Sequence, residues 1–106
     1  MTCIDMLLSK IRTNPYIYIG EMSLVKLKSF IDGYIVCEIE FNEMKSIEEF
    51  NGFQAFIENK FCVEGTDSWC TLILSRYDDP VKAFNAFFEF LDEYIEQMKE
   101  NSRTGN

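Results

Sequence analysis

The residue types that run acid–base and metal chemistry are thinly supplied in this chain. It contains no histidine, the commonest general acid–base side chain. Four cysteines, Cys3, Cys37, Cys62 and Cys70, form no CxxC pair. Zinc sites combine closely spaced Cys or His ligands, so no metal and no cofactor is expected. A cysteine nucleophile needs a base beside it, and none is in evidence. Ser23, Ser68 and Ser75 lie in no GxSxG-type elbow. Five scattered glycines make no phosphate-cradling loop. Carboxylates remain, because paired Asp or Glu can cleave glycosides unaided. Glu38/Glu40, Glu48/Glu49 and Asp92/Glu93 are such pairs, but on helices these charges form a solvated face. The expectation is that the chain is not an enzyme.

The 106 residues fit one domain, given a usual size of about 100–150 residues. With 47% hydrophobic residues and ten Phe, they can build a core, which excludes disorder. The net charge is −8 and the pI about 4.4. An acidic domain repels phosphate backbones, so direct nucleic-acid binding is disfavoured. A basic protein is the better-suited partner, because complementary charge accelerates association. The bland alternative is that the charge only confers solubility. Cys3, Cys37 and Cys62 have apolar neighbours and suit buried free thiols. Met1–Arg12 carries Asp5 and lacks the apolar core of a signal peptide. No run approaches the roughly 20 apolar residues of a membrane span. A reducing cytoplasm is the expected location.

The elements that would carry these residues are mostly helical. Thr2 caps a first helix with Asp5 in its first turn and Ile4, Leu7, Leu8 and Ile11 on one face. Pro15 stops it at Asn14. Tyr16–Ile19 alternates and reads as an extended corner, turned by Gly20. Ser23 opens a second helix through Leu24, Leu27, Phe30, Ile31, Tyr34 and Ile35. Gly33 argues against an unbroken helix or marks a close neighbouring backbone. Over Tyr34–Phe41 helix and strand compete, and helix is favoured. Ser46 with Glu49 makes a capping box, followed by the stripe Phe50, Phe53, Phe56, Ile57 and Phe61. Asn51-Gly52 is a candidate break in that stripe. Glu64–Ser68 is loop-like, and Trp69, Leu72, Ile73 and Tyr77 fit a helix. Asp79-Pro80 begins the clearest element. There Phe84, Phe88, Leu91, Ile95 and Met98 recur at helical spacing, and Phe87, Phe90 and Tyr94 widen the stripe, as in a helix buried on several sides. The expected fold is mainly α, a compact bundle of four to five helices over residues 1–100 with a flexible tail at 101–106. The alternative is α+β, with short strands at Tyr16–Ile19, Tyr34–Phe41 and Thr71–Ser75.

Two resemblances bear on function. Ile11-Arg12, Pro15 and Tyr18-Ile19-Gly20 superficially resemble the segment that opens the ATPase domain of type II topoisomerases. That family needs a following helix with an asparagine for the metal. The corresponding SLVKLKSFIDGYIVCEIE has none, and the chain is far too short, so ATP binding is rejected. The wider resemblance adds Phe30, Gly33-Tyr34, Gly52-Phe53-Gln54, Phe56-Ile57, Ser68-Trp69 and Phe87–Glu93, in order along most of the chain. In this succession the chain resembles small acidic bacterial immunity proteins encoded beside contact-dependent growth-inhibition or other polymorphic toxins. Tyr16-Ile17 departs from that pattern, where a small residue and methionine are expected. The resemblance implies a cytoplasmic antidote that neutralises one toxin domain by forming a stoichiometric complex; the sequence does not fix the oligomeric state, for which a monomer is the expectation. Such toxins are often nucleases, including RNases, with basic phosphate-binding clefts. An acidic inhibitor can imitate phosphate in such a cleft, with Trp and Tyr as anchors.

Two clusters suit that role: Glu38, Glu40, Glu43, Glu48 and Glu49, then Asp67, Asp78 and Asp79 with Trp69 and Tyr77. Against it stand ordinary capping for Asp79 and ordinary burial for Trp69. The alternative function is an acidic adaptor that binds some other basic protein. An upstream toxin reading frame would separate the two.

Overall fold

The computed structural model describes residues 3–41, 45–65 and 67–104, with side chains at 4–41, 48–65 and 67–100. The described residues contain six helices and no strand: α1 (Cys3–Thr13), α2 (Pro15–Ile19), α3 (Leu24–Glu40), α4 (Lys45–Lys60), α5 (Trp69–Leu74) and α6 (Pro80–Thr104). The mainly α reading therefore holds, and both competing segments, Tyr34–Phe41 and Thr71–Ser75, fall to helix apart from their end residues.

In α1, Ile4, Leu8 and Ile11 are buried one or two turns apart. Asp5 sits in the first turn, and Lys10 and Arg12 in the last, each complementing the helix dipole. Thr2, its expected cap, lies outside the described residues. Asn14 leaves the helical region, with φ −145° and ψ 72°, because a following proline disfavours the α conformation. The expected extended corner at Tyr16–Ile19 is instead the helix α2. Pro15, at its start, is already fixed near helical φ. One turn later Ile19 packs on the core, whereas Ile17, which a strand would place on the same face as Pro15 and Ile19, is 72% exposed. Gly20 then turns the chain in the left-handed region, at φ +83°.

Ser23 caps α3, its hydroxyl accepting from the Lys26 amide at 3.2 Å. The helix runs unbroken through Gly33, which is exposed and has no neighbour within reach of a Cβ. Neither the break nor the close approach expected there occurs. The close approach is at Gly52. Helix α4 passes through Asn51-Gly52 without a break, and a Cβ on Gly52 would collide with the Tyr94 hydroxyl and stand 3.2 Å from Tyr94 Cζ. The absent Cβ leaves room for the Tyr94 side chain, which reaches across from α6 to α4. Helix α4 begins at Lys45, so Ser46 falls inside the first turn rather than capping it.

The end of α4 is a Schellman turn: Val63 N–H donates to Glu58 O (3.0 Å) and Cys62 N–H to Asn59 O (3.2 Å). Cys62 takes the left-handed position, φ +56°, where glycine is usual. Ser68 caps α5 by accepting from Thr71 N–H at 3.2 Å. Asp79 caps α6 by accepting from Val81 N–H at 2.9 Å. Helix α6 continues through Asn101–Thr104, where polarity had suggested a tail.

The core is aromatic and centred on α6, whose Phe84, Phe87 and Phe88 are fully or nearly buried. Trp69 stacks on Phe87 with centroids 4.9 Å apart. Phe53 meets Phe87 and Trp69 edge-on, each at 5.5 Å, the geometry aromatic quadrupoles prefer. Arg12 ties α1 to α6 through Nη1, which donates to both Asp92 carboxylate oxygens (2.9 and 3.1 Å), and lies over the Phe88 ring. That pair is half-exposed and contributes little more than about 1 kcal/mol. The buried rings dominate stability.

Candidate partner-binding surface

The first acidic cluster is divided by the fold. Glu38 is half-buried and Glu40 exposed on the last turn of α3, while Glu48 is exposed at the start of α4. Glu49 turns the other way. It lines a groove toward α6, and its carbonyl accepts from the Tyr94 hydroxyl at 3.1 Å. Glu43 lies outside the described residues.

The second cluster is also divided. Asp67 is exposed at the loop before α5, and Asp78 and Asp79 stand beyond its far end. Asp79 is occupied as a cap. Tyr77 is half-buried against the core. Trp69 is a correction to its role as an exposed anchor: only 5% of its surface is exposed, and it belongs to the aromatic core.

Gln54 organises the loop between α4 and α5. Its carbonyl accepts from Trp69 N–H at 2.6 Å, and its amide donates to Asp67 O (3.0 Å) and Glu58 Oε2 (3.2 Å). One side chain thus holds the entry of α5, because the first amides of a helix lack partners within it.

Exposed apolar side chains that sequence reasoning did not single out lie at the end of α3. Val36 and Ile39 are 58% and 41% exposed, and Phe41 just after the helix is 75% exposed. At helical spacing, Val36 and Glu40 lie one turn apart on the face opposite buried Leu27. The strand-like alternation across Ile35–Phe41 hid that placement. A second exposed group, Tyr16 and Ile17, rides on α2, because only Pro15 and Ile19 turn inward.

Three depressions mark the surface. Two adjoin along α6, one of about 380 Å³ against α4 and one of about 520 Å³ against α1, and share Asp5, Leu91, Ile95 and Lys99. A third, of about 290 Å³, lies between α3, α4 and α5 over Ile35, Phe50 and Trp69, with the Lys28–Asp32 pair at its edge. Their floors are apolar, and such surfaces suit binding.

Two titrating groups are perturbed. Burial pushes the Cys70 thiol up from 9.0, with Lys28 pulling it down and Asp32 raising it. Burial also raises Tyr94 above 10.0, with Glu49 and Asp5 adding to the effect. Both groups stay neutral at physiological pH. The expected burial of thiols fails at Cys37 and Cys62, which are exposed, and the buried cysteine is instead Cys70; the Cys3 side chain lies outside the described residues. No group of side chains among the described residues could hold a metal ion, and no described helix is long and apolar enough to cross a membrane. No protein-family model, curated protein or solved structure matches the chain.

Proposed function

We propose that this protein is a cytoplasmic immunity protein that binds and neutralises a cognate bacterial toxin domain, a nuclease, in a stoichiometric complex, with no catalysis of its own. The observation carrying this reading is the exposure of Glu40, Glu48, Asp67 and Asp78 on a body of net charge −8. Exposed carboxylates are available to a cationic cleft, and a long-range negative field steers such a partner into contact. The ordered succession of residues shared with acidic immunity proteins supports the same reading.

The test is co-purification with the product of the reading frame immediately upstream, followed by nuclease assay on mixing. The expected result is a stable complex and loss of nuclease activity at equal stoichiometry. Undiminished activity with a saturating excess of this protein would refute the reading.

A further inference from the structure

We propose that the outer face of α3 binds a second copy of this chain, with the two α3 helices antiparallel about a two-fold axis. Such a pair is independent of the immunity reading and departs from the monomer expected of the sequence. Val25, Ser29, Asp32, Val36 and Ile39 recur at intervals of four, three, four and three residues, which sets them in one row along a helix. All five are exposed, Val25 and Val36 to 58% and Ile39 to 41%. Leu24, Leu27 and Ile31, on the other side of α3, are buried. α3 thus has one face in the core and a second, unpartnered seam in water.

The order of residue types along the seam selects the occupant. In a two-fold pair each contact is made twice, once in each direction. With the axis between Phe30 and Ile31, Val25 of one copy meets Val36 of the other, and Ser29 meets Asp32. Apolar then faces apolar at both ends, and at the centre each Ser29 hydroxyl is placed to donate to an Asp32 carboxylate. A polar layer inside an apolar seam fixes register and direction at some cost in stability. A parallel pair in register would instead set Asp32 against Asp32, two like charges. Each Asp32 also brings its own counter-ion, since Lys28 Nζ lies 2.6 Å away on the same helix, so no carboxylate enters the interface unpaired. Gly33 flanks the centre of the seam. It is exposed and has nothing within 4 Å of a Cβ, so within one copy it only weakens the helix. Beside a crossing helix, its missing side chain admits a second backbone.

The test joins sedimentation of the full chain over a range of concentrations to cysteine cross-linking. The wild-type mass rises from 12.5 kDa toward twice that value as concentration increases. Val36→Lys weakens self-association by about tenfold or more, whereas Val81→Lys, at an exposed valine of α6, leaves it unchanged. Both substitutions fall on exposed side chains, so unfolding does not account for the difference. For direction, Val25→Cys and Val36→Cys are made separately in a chain that carries Cys3→Ser, Cys37→Ser and Cys62→Ser. Mixed, the two variants form an interchain disulfide that neither forms alone. Like positions stand about 16 Å apart along the seam, and a disulfide needs Cα atoms within about 7 Å. A monomeric mass up to about 0.5 mM overturns the proposal. So does a dimer insensitive to Val36→Lys, or cross-linking of either variant alone as fast as in the mixture. None of these measurements uses the upstream toxin, so the immunity reading stands or falls separately.

Discussion

Replacing Gly52 by alanine should destabilise the protein although it improves the helix. In an exposed helix interior, Gly→Ala gains about 1 kcal/mol. Here the new methyl meets the Tyr94 hydroxyl at a distance no real Cβ tolerates, and Cζ stands behind it at 3.2 Å. The rigid ring must swing away as a whole. It then loses its hydrogen bond to Glu49 O, about 1 kcal/mol, and overpacks its neighbours at a cost of about 1–3 kcal/mol. The groove that Tyr94 lines gives the ring some room to move, which limits the cost. The net expectation is a loss of about 1–3 kcal/mol, or some 4–8 °C in melting temperature for each kcal/mol. Tyr94→Phe removes the offending oxygen and by itself costs about 1 kcal/mol. In that background Gly52→Ala should be close to neutral, because the propensity gain offsets the residual tightness at Cζ. Urea unfolding of all four proteins therefore yields a coupling of about 1–3 kcal/mol. If Gly52→Ala alone raises the urea midpoint, or the two changes simply add, the close approach of α6 to α4 has been misjudged.

Other outcomes follow from the same geometry. Cys62→Gly should stabilise the protein by about 1 kcal/mol, because the left-handed position at φ +56° penalises a side chain; an unchanged urea midpoint would count against a strained turn. Gln54→Ala should cost about 1–3 kcal/mol by stripping Trp69 N–H and the Asp67 carbonyl of their partner. Amide exchange at Trp69 should accelerate more than exchange in α6. Tyr94 has a folded-state pKa raised above 10.0, so the unfolded chain loses that proton first. The stability this gives is whole below pH 10 and drains away as pH rises through the folded value. The gap between wild type and Tyr94→Phe, followed by denaturation from pH 8 to 11, should narrow in that direction. Iodoacetamide at mildly alkaline pH should label Cys37 and Cys62 well before Cys70, whose burial keeps it protonated and covered; equal labelling by mass spectrometry would contradict the packing.

Where a local signal had one structural meaning, it was legible in the chain. Ser23 and Asp79 each cap the helix they precede, because a short oxygen-bearing side chain before an apolar run reaches the helix's first unpaired amides. The broad stripe of α6 became the centre of the core, since no surface helix carries Phe on so many sides. The glycines were misread in opposite senses. Gly33 interrupts nothing and touches nothing, while Gly52 is the point where two helices meet. Sequence shows that a Cβ is missing but not which atom requires its absence. Tyr16–Ile19 failed for a related reason: four alternating residues fit a strand equally well, and only the folded chain, which packs Pro15 and Ile19 on the core and leaves Ile17 outside, shows the helical period.

Composition and periodicity alone made this chain acidic and rich in phenylalanine and favoured helix over an α+β alternative, because charge, spacing and caps are properties of neighbouring residues. Tertiary structure decided which rings meet and which carboxylates part company. It drew Trp69 inward onto Phe87, turned Glu49 toward α6, and left Val36, Ile39 and Phe41 facing water beside Glu40. Those outcomes depend on where distant segments come to rest, and a helix has no inward face until another element packs against it.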